Sequence, residues 1–318
     1  GHSFFYNERE TTDIYTLSLH GALPILASWS VLFTGQFSNL HQGFEELHES
    51  GSVDSTPSSK TAREYVDRLS EWLGTHRDVP FFVFLHVFDP HDPFEPREPY
   101  ATMWADPAHK AEHEEQLEAL RAHIENPILR QFGMPDRGAF EAAEIDAETY
   151  VSYDQDWYDG SIRGMDIELG RLVERLQTLG LDDDTLIVFM SDHGESMGAH
   201  GFMMKGVPAF EEGYKIPFIV RWPGGGFQGS VCEPVSIVDL APTLLEMVGA
   251  EPIEGCEGRS LVPLLKGKLP SDWDTEAFAE FHGQRFFFTQ RIVWGKRYKY
   301  VFNGFDYDEL YDLEEDPY

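Results

Sequence analysis

The chain has 318 residues, a formal charge of −32, 42% apolar and 14% aromatic residues. Such acidity argues against a nucleic-acid partner, because a phosphate backbone needs Lys and Arg opposite it, and no apolar run reaches the length of a membrane helix. The length suits one large α/β domain with an appendage, or two ordinary domains, with residues enough for a sizeable core. An anionic substrate needs a local positive site, or a metal, to overcome the overall field. Cys232 and Cys256 are too few for a disulfide framework and leave the redox compartment open.

Residues 1–26 show no sustained periodicity and do not blend into the residues beyond them. They lack the basic start and small-residue cleavage site of a signal peptide. They resemble the translated read-through of a sequencing adapter and are read as a non-native or disordered segment on an N-terminally truncated chain. From Ala27 the text is that of a folded protein. Phe37-Ser-Asn-Leu-His-Gln-Gly-Phe-Glu-Glu-Leu47 resembles a segment, of the family named below, in which a strand ends and a turn follows, and Gly51 to Ser59 is a Ser-rich loop. Lys60 to Leu73 comes next as an amphipathic helix, apolar at Ala62, Tyr65, Val66, Leu69, Trp72 and Leu73.

Pro80 to Phe88 is a strand, aromatic and β-branched. It runs into Asp89-Pro-His-Asp-Pro93, where two prolines stiffen the loop that carries His91. His86, on the strand, reads as a hydrogen-bonded core histidine, with a catalytic role as the alternative. Residues 101–149 are charge-rich with helical periodicity around Ala111 to Ile124, a solvated helical excursion or a lid that shapes substrate choice. Tyr150 to Gly180 predicts a longer amphipathic helix, with Gly180 as its C-cap.

Thr185-Leu-Ile-Val-Phe-Met190 then reads as a buried strand of a parallel sheet. Ser191-Asp-His-Gly-Glu195 stands at its C-terminal end, where open α/β sheets place their ligands. Asp192 and His193 offer an oxygen and an imidazole nitrogen to one divalent cation, if the turn points both the same way. His200 and Lys205 add a proton donor and a fixed positive charge, and the set suits an oxyanion ester. Phe210-Glu-Glu-Gly-Tyr-Lys-Ile-Pro-Phe-Ile-Val-Arg-Trp-Pro223 gives a further strand, and Val235 to Val248 a helix with Pro242 in its first turn. The tail from Phe286 to Leu313 reads as antiparallel hairpin strands.

Several of these stretches resemble, in the right order, motifs of the sulfatases within the alkaline phosphatase superfamily. Ser191 to Gly206 resembles S-D-H/N-G-E…G-E-H-G…K-G, and Phe81 to Pro93 resembles F-F-L-x-L-H-x-x-x-P-H-x-P. Phe210 to Pro223, Gly258-Arg-Ser-Leu-Val-Pro-Leu-Leu and Glu309-Leu-Tyr-Asp-Leu-Glu-Glu-Asp-Pro317 match later landmarks. The resemblance implies an α/β fold with a mostly parallel central sheet flanked by helices, and a small C-terminal antiparallel α+β subdomain. It divides the chain into an incomplete α/β domain at 27–268 and a truncated subdomain at 269–318.

By the same resemblance, Asp192 and His193 are metal ligands, with Ca²⁺ first and Mn²⁺, Mg²⁺ or Zn²⁺ as alternatives. His91 contacts the ester near its leaving oxygen, Lys205 holds an oxygen as a point charge, and His200 and His86 are further proton donors. Glu195 orients His193 or the loop. The substrate is a small-molecule or carbohydrate sulfate ester. Export to the periplasm or the extracellular space is a family habit, and any signal for it would precede this sequence.

Two family elements are missing before residue 80: the first Asp pair, and the C/S-x-P/A-x-R motif whose Cys or Ser becomes the formylglycine nucleophile. Cys232-Glu-Pro-Val-Ser236 imitates the latter, but Ser236 replaces the Arg and the site comes after the metal motif instead of preceding it. It reads as an ordinary thiol beside a strand. The expectation is therefore a sulfatase fragment that is inactive as it stands. The alternatives are a phosphonate or phosphate ester hydrolase of the same superfamily, favoured by the His at 193, and a non-catalytic binding relative.

Overall fold

The computed structural model describes residues 25–30, 44–49, 62–92, 94–131, 134–201, 210–225, 228–283 and 288–316. Most of the adapter-like segment therefore lies outside the described residues, although Ile25 and Leu26 belong to the first strand. The chain divides into two compact units. One comprises Gly1–Trp104, Trp157–Thr185 and Leu240–Val262, the other Ala105–Asp156, Leu186–Asp239 and Pro263–Tyr318.

In the first unit, β1 (Ile25–Ser30) is the middle strand of a three-stranded parallel sheet, between β2 (Glu46–Glu49) and β3 (Phe81–Leu85). Ala27 pairs with Glu46, and Ile25 with Phe81. Helix α1 (Ala62–His76) buries the six apolar positions read from its period. Its first amide is capped from a distance: the Ala62 N–H donates to Asp89 Oδ2 at 3.0 Å. A carboxylate there satisfies an orphan donor and meets the positive end of the helix dipole. At the other end, the Trp72 indole N–H donates to Glu46 Oε2 at 2.9 Å, tying α1 to β2.

Helix α5 (Ala147–Leu179) belongs to this unit from Trp157 onward. Arg171 binds Asp67 at 2.6 Å and also Glu168, while Arg63 reaches Glu168 at 3.2 Å. The helix ends at Gly180 with φ +70. Gly180 N–H bonds to the Gln177 carbonyl and Leu181 N–H to that of Leu176, the paired closure of a glycine C-cap. Helix α7 (Leu240–Val248) carries Pro242 in its first turn. Its buried Thr243 hydroxyl accepts from the Leu261 N–H at 2.8 Å, which anchors the Gly-Arg-Ser-Leu stretch.

The second unit opens with α2 (Pro107–His123), α3 (Pro127–Gln131) and α4 (Arg137–Ala143), before the first turns of α5. Asp106 and Asp136 cap α2 and α4 by accepting from Ala108 N–H and Ala139 N–H. This excursion is not solvated throughout. Leu120, Ile124, Ala139, Phe140 and Tyr150 form a buried cluster of its own. Burial, reinforced by the Asp154 charge, pushes the Tyr150 phenol well above its ordinary range.

Strand β4 (Ile187–Met190) starts two residues after the predicted Thr185, whose hydroxyl instead donates to the Leu181 carbonyl. Its partner among the described residues is β5 (Phe218–Arg221), and the pairing is antiparallel, where the apolar run predicted a parallel neighbour. A short continuous run reports burial, not direction. The chain finishes in a four-stranded antiparallel meander, β6 (Ala277–Phe281), β7 (Gln290–Trp294), β8 (Tyr298–Asn303) and β9 (Glu309–Asp312). Strand β8 alternates strictly, burying Lys299, Val301 and Asn303.

Buried Lys299 is balanced by the one-turn helix α6 (Glu211–Tyr214). Its ammonium lies 3.1 Å from Glu211 Oε1, which also accepts from the Trp294 indole N–H at 2.7 Å. The same helix clamps the stretch after β4. Gly194 N–H donates to the Gly213 carbonyl, and a Cβ at Gly194 would stand 1.9 Å from the Glu212 carbonyl oxygen. Among the described residues, no helix is long and apolar enough to cross a membrane.

These contacts set the expected response to substitution. Lys299→Ala leaves Glu211 without its cation in a largely buried setting and should cost about 3–5 kcal/mol in urea unfolding. The double variant Lys299→Met/Glu211→Gln should recover most of that loss. Gly194→Ala should cost about 3 kcal/mol by forcing α6 away, against about 1–2 kcal/mol for Gly201→Ala. Gly201 has φ +79 and open space around it. Equal losses at the two glycines would show that the close approach is unimportant.

Candidate active site

The end of β4 delivers a carboxylate and an imidazole to one place. His193 N–H donates to Asp192 Oδ1 at 3.0 Å, which folds the Asp192 side chain back over its neighbour. His193 Nδ1 lies 2.9 Å from the Gly194 carbonyl oxygen. A carbonyl only accepts, so the proton sits on Nδ1 and the Nε2 lone pair faces outward. That lone pair is 3.6 Å from Asp192 Oδ2, and both side chains are exposed. The backbone carbonyl thus fixes the tautomer.

A hard oxygen and a borderline imidazole nitrogen this close fit a shared divalent cation. Among the described residues, no group of three or more His, Cys, Asp or Glu side chains stands ready to hold one. Asp192 and His193 are therefore a pair of donors, and further ligands must complete any site. Lys205 lies outside the described residues.

Farther along the same loop, His200 adopts φ +54 and ψ +19 in a short 3-10 turn. Its ring lies flat on Phe210, with centroids 3.8 Å apart and planes 9° from parallel. Its Nε2 is 3.4 Å from Glu212 Oε1. The loop is also held from α5, where Gln155 Nε2 donates to the Met197 carbonyl. Sequence reasoning missed Glu212 and Phe210 as site residues. The signal was present in the Phe210-Glu-Glu run, which served only as a family landmark.

His91 and His86 belong to the first unit. His91 stacks on Phe88 at 4.2 Å, and its Nδ1 lies 2.7 Å from the Asp92 carbonyl oxygen and 3.1 Å from Asp92 Oδ1. The same logic puts the proton of the neutral ring on Nδ1 and makes Nε2 the acceptor, so Nε2 donates only from the imidazolium. The Asp89 cap on α1 sets the start of this loop. His86 lies just past the end of β3, half-buried, with the Phe84 ring 6.2 Å away. Cys232 is an exposed free thiol in the loop after β5, with no strand assigned to the residues around it.

Comparison with known proteins places these features in a family. The sulfatase family model matches residues 28–250, and the model for the C-terminal part of N-sulphoglucosamine sulphohydrolase matches residues 198–318. The chain is 31% identical over 283 residues to the multifunctional alkaline phosphatase superfamily protein PehA of Trinickia caryophylli, covering 80% of this chain and 53% of that protein. It is 26% identical over 320 residues to the choline-sulfatase of Rhizobium meliloti, covering 98% and 60% respectively. The chain thus spans little more than half the length of these curated relatives.

Among solved structures, the phosphonate monoester hydrolase of Agrobacterium radiobacter is similar with a TM-score of 0.70 at 25% identity, covering 92% of this chain and 72% of that one. The sulfatase yidJ of Bacteroides fragilis, described as putative, also gives 0.70, at 22% identity, covering 98% and 72%. The fold is that of the alkaline phosphatase superfamily, with helices flanking the strands and an antiparallel sheet at the C-terminus. On the extent of the family match, the chain belongs to the sulfatase family.

Proposed function

We propose that this chain is part of a metal-dependent hydrolase of sulfate esters, and that it carries the later half of the cation site together with the proton donors. The observation that supports this reading is the convergence of His193 Nε2 and Asp192 Oδ2 to 3.6 Å at the end of a strand, with the imidazole tautomer fixed by Gly194. Asp192 and His193 would hold the cation, with Ca²⁺ first and Mn²⁺, Mg²⁺ or Zn²⁺ as alternatives. A divalent cation there supplies charge neutralisation for the ester oxygens. The first Asp pair and the formylglycine precursor do not occur before residue 80. We therefore infer that the chain alone does not turn over sulfate esters.

Within that reading, His91 protonates the leaving alcohol from Nε2 as the imidazolium, with Nδ1 held by Asp92 so that the ring cannot rotate. Lys205 places a point charge on an ester oxygen. His200 is a second proton donor, and His86 a weaker candidate outside the strand. Sulfated carbohydrates fit the substrate class, since an N-acetylglucosamine-6-O-sulfatase of Bacteroides thetaiotaomicron is 31% identical over 189 residues. A phosphonate or phosphate monoester is the second reading. It is favoured by the imidazole at 193, where many sulfatases carry Asn, and by the likeness to a phosphonate monoester hydrolase.

The test is to sequence the source gene upstream of this stretch, express the whole protein, and compare aryl sulfate with aryl phosphonate monoester. Sulfate hydrolysis should dominate and should vanish in Asp192→Asn and on chelation. His91→Asn should lower kcat about 10²–10⁴-fold. The loss should be larger for an alkyl sulfate, whose alkoxide needs the proton, than for a p-nitrophenyl ester. A uniform loss on both leaving groups would remove His91 from proton transfer. Preference for phosphonate would select the second reading.

A further inference from the structure

One carboxylate beside His200 is left unused by the proposed function. Glu212 Oε1 lies 3.4 Å from His200 Nε2 and both side chains are mostly shielded from solvent. The other oxygen, Oε2, is buried and has no hydrogen-bond partner among the described residues. A carboxylate so placed is poorly solvated on one side, and an imidazolium on the other offsets that cost. Phe210, two residues earlier, covers the face of the same ring. His200 meanwhile holds a left-handed backbone conformation that L residues rarely adopt. The ring is therefore held from its face and from one edge.

We propose that Glu212 is the positioning residue for His200: it takes the Nε2 proton as its partner, so that Nδ1 is the nitrogen that delivers a proton. In the step, the nucleophilic hydroxyl gives up its proton to solvent and bonds to sulfur or phosphorus as the ester bond to the leaving oxygen breaks. The electron pair of that bond goes to the leaving oxygen, which takes its one proton from His200 Nδ1 in this route and from His91 Nε2 in the alternative one. The ring is left neutral, still Nε2–H and still paired with Glu212, and the proton that the nucleophile released to solvent restores the imidazolium. Delivery from Nε2 would require the pair to break first. The inference rests on the reading of His200 as a proton donor. Glu212 acts through His200 and does not touch substrate.

The pairing can be tested on the chain itself, without turnover, by isotope-labelled histidine NMR at a pH where the ring is neutral. His200 is assigned by its loss in His200→Gln. The Nε2–H tautomer should dominate in the wild type and persist in Glu212→Gln, whose amide oxygen still accepts. It should give way to a mixture in Glu212→Ala. A dominant Nδ1–H tautomer in the wild type overturns the proposal without any variant, and so does an unchanged tautomer in Glu212→Ala. In the whole protein, Glu212→Ala should lower kcat more than KM, with partial rescue in Glu212→Gln. If the tautomer result stands but His200→Gln leaves hydrolysis unchanged, the proton-donor reading of His200 fails while the pairing survives.

Discussion

A Cβ on residue 194 would lie 1.9 Å from the Glu212 carbonyl oxygen, far inside van der Waals contact, so the backbone of the Asp-His-Gly turn runs directly against α6. The hydrogen bond from Gly194 N–H to the Gly213 carbonyl holds it there. Everything else in this part of the chain depends on that approach. It aims the Gly194 carbonyl at His193 Nδ1, which sets the tautomer and turns Nε2 toward Asp192. It also brings α6 close enough for Glu212 to reach His200. One missing methyl group therefore links the Asp192–His193 pair to His200.

The two adjacent carboxylates of α6 divide the work by facing opposite ways. Glu211 turns to the C-terminal meander and balances Lys299 and the Trp294 indole. Glu212 turns to the loop. A one-turn helix has almost no stability of its own, so its position comes from these tertiary contacts. The meander, distant in sequence, thereby steadies the residue that holds His200. The first unit shows a similar economy at His91, where Asp89 caps α1 and so fixes the loop start from outside the sheet.

Much of this was legible in the residues. Helix α1 tracks its apolar period residue by residue because one face is buried along its whole length. The Asp-His-Gly motif was legible because it is short, local and set by backbone geometry. The direction of the β4 pairing was not, since an apolar run tells only that both faces are covered. The core of residues 105–156 was also hidden. Leu120, Phe140 and Tyr150 come from three separate helices, Ile124 from the residue that ends α2, and they share no single period, so the stretch reads as charge-rich in sequence while its apolar residues meet in space. Glu212 escaped for a related reason: its partner, His200, lies across a glycine-rich loop and no spacing rule joins them.

The overall charge sharpens the case for a cation. Asp192, Glu195, Glu211 and Glu212 crowd one short region of a chain whose formal charge is −32. A sulfate or phosphonate monoester approaching such a field is repelled unless positive charge is supplied locally. Among the described residues of that region, Lys299 is committed to Glu211 and His200 faces Glu212, while Lys215 stands exposed at the end of α6. With Nδ1 turned to the Gly194 carbonyl, His193 presents Nε2 as a nitrogen that a cation could bind. The arrangement is consistent with chemistry in which the positive charge arrives as a metal ion on Asp192 and His193. Each ring meets its own partner: the Gly194 carbonyl for His193, the Asp92 carbonyl for His91 and the Glu212 carboxylate for His200.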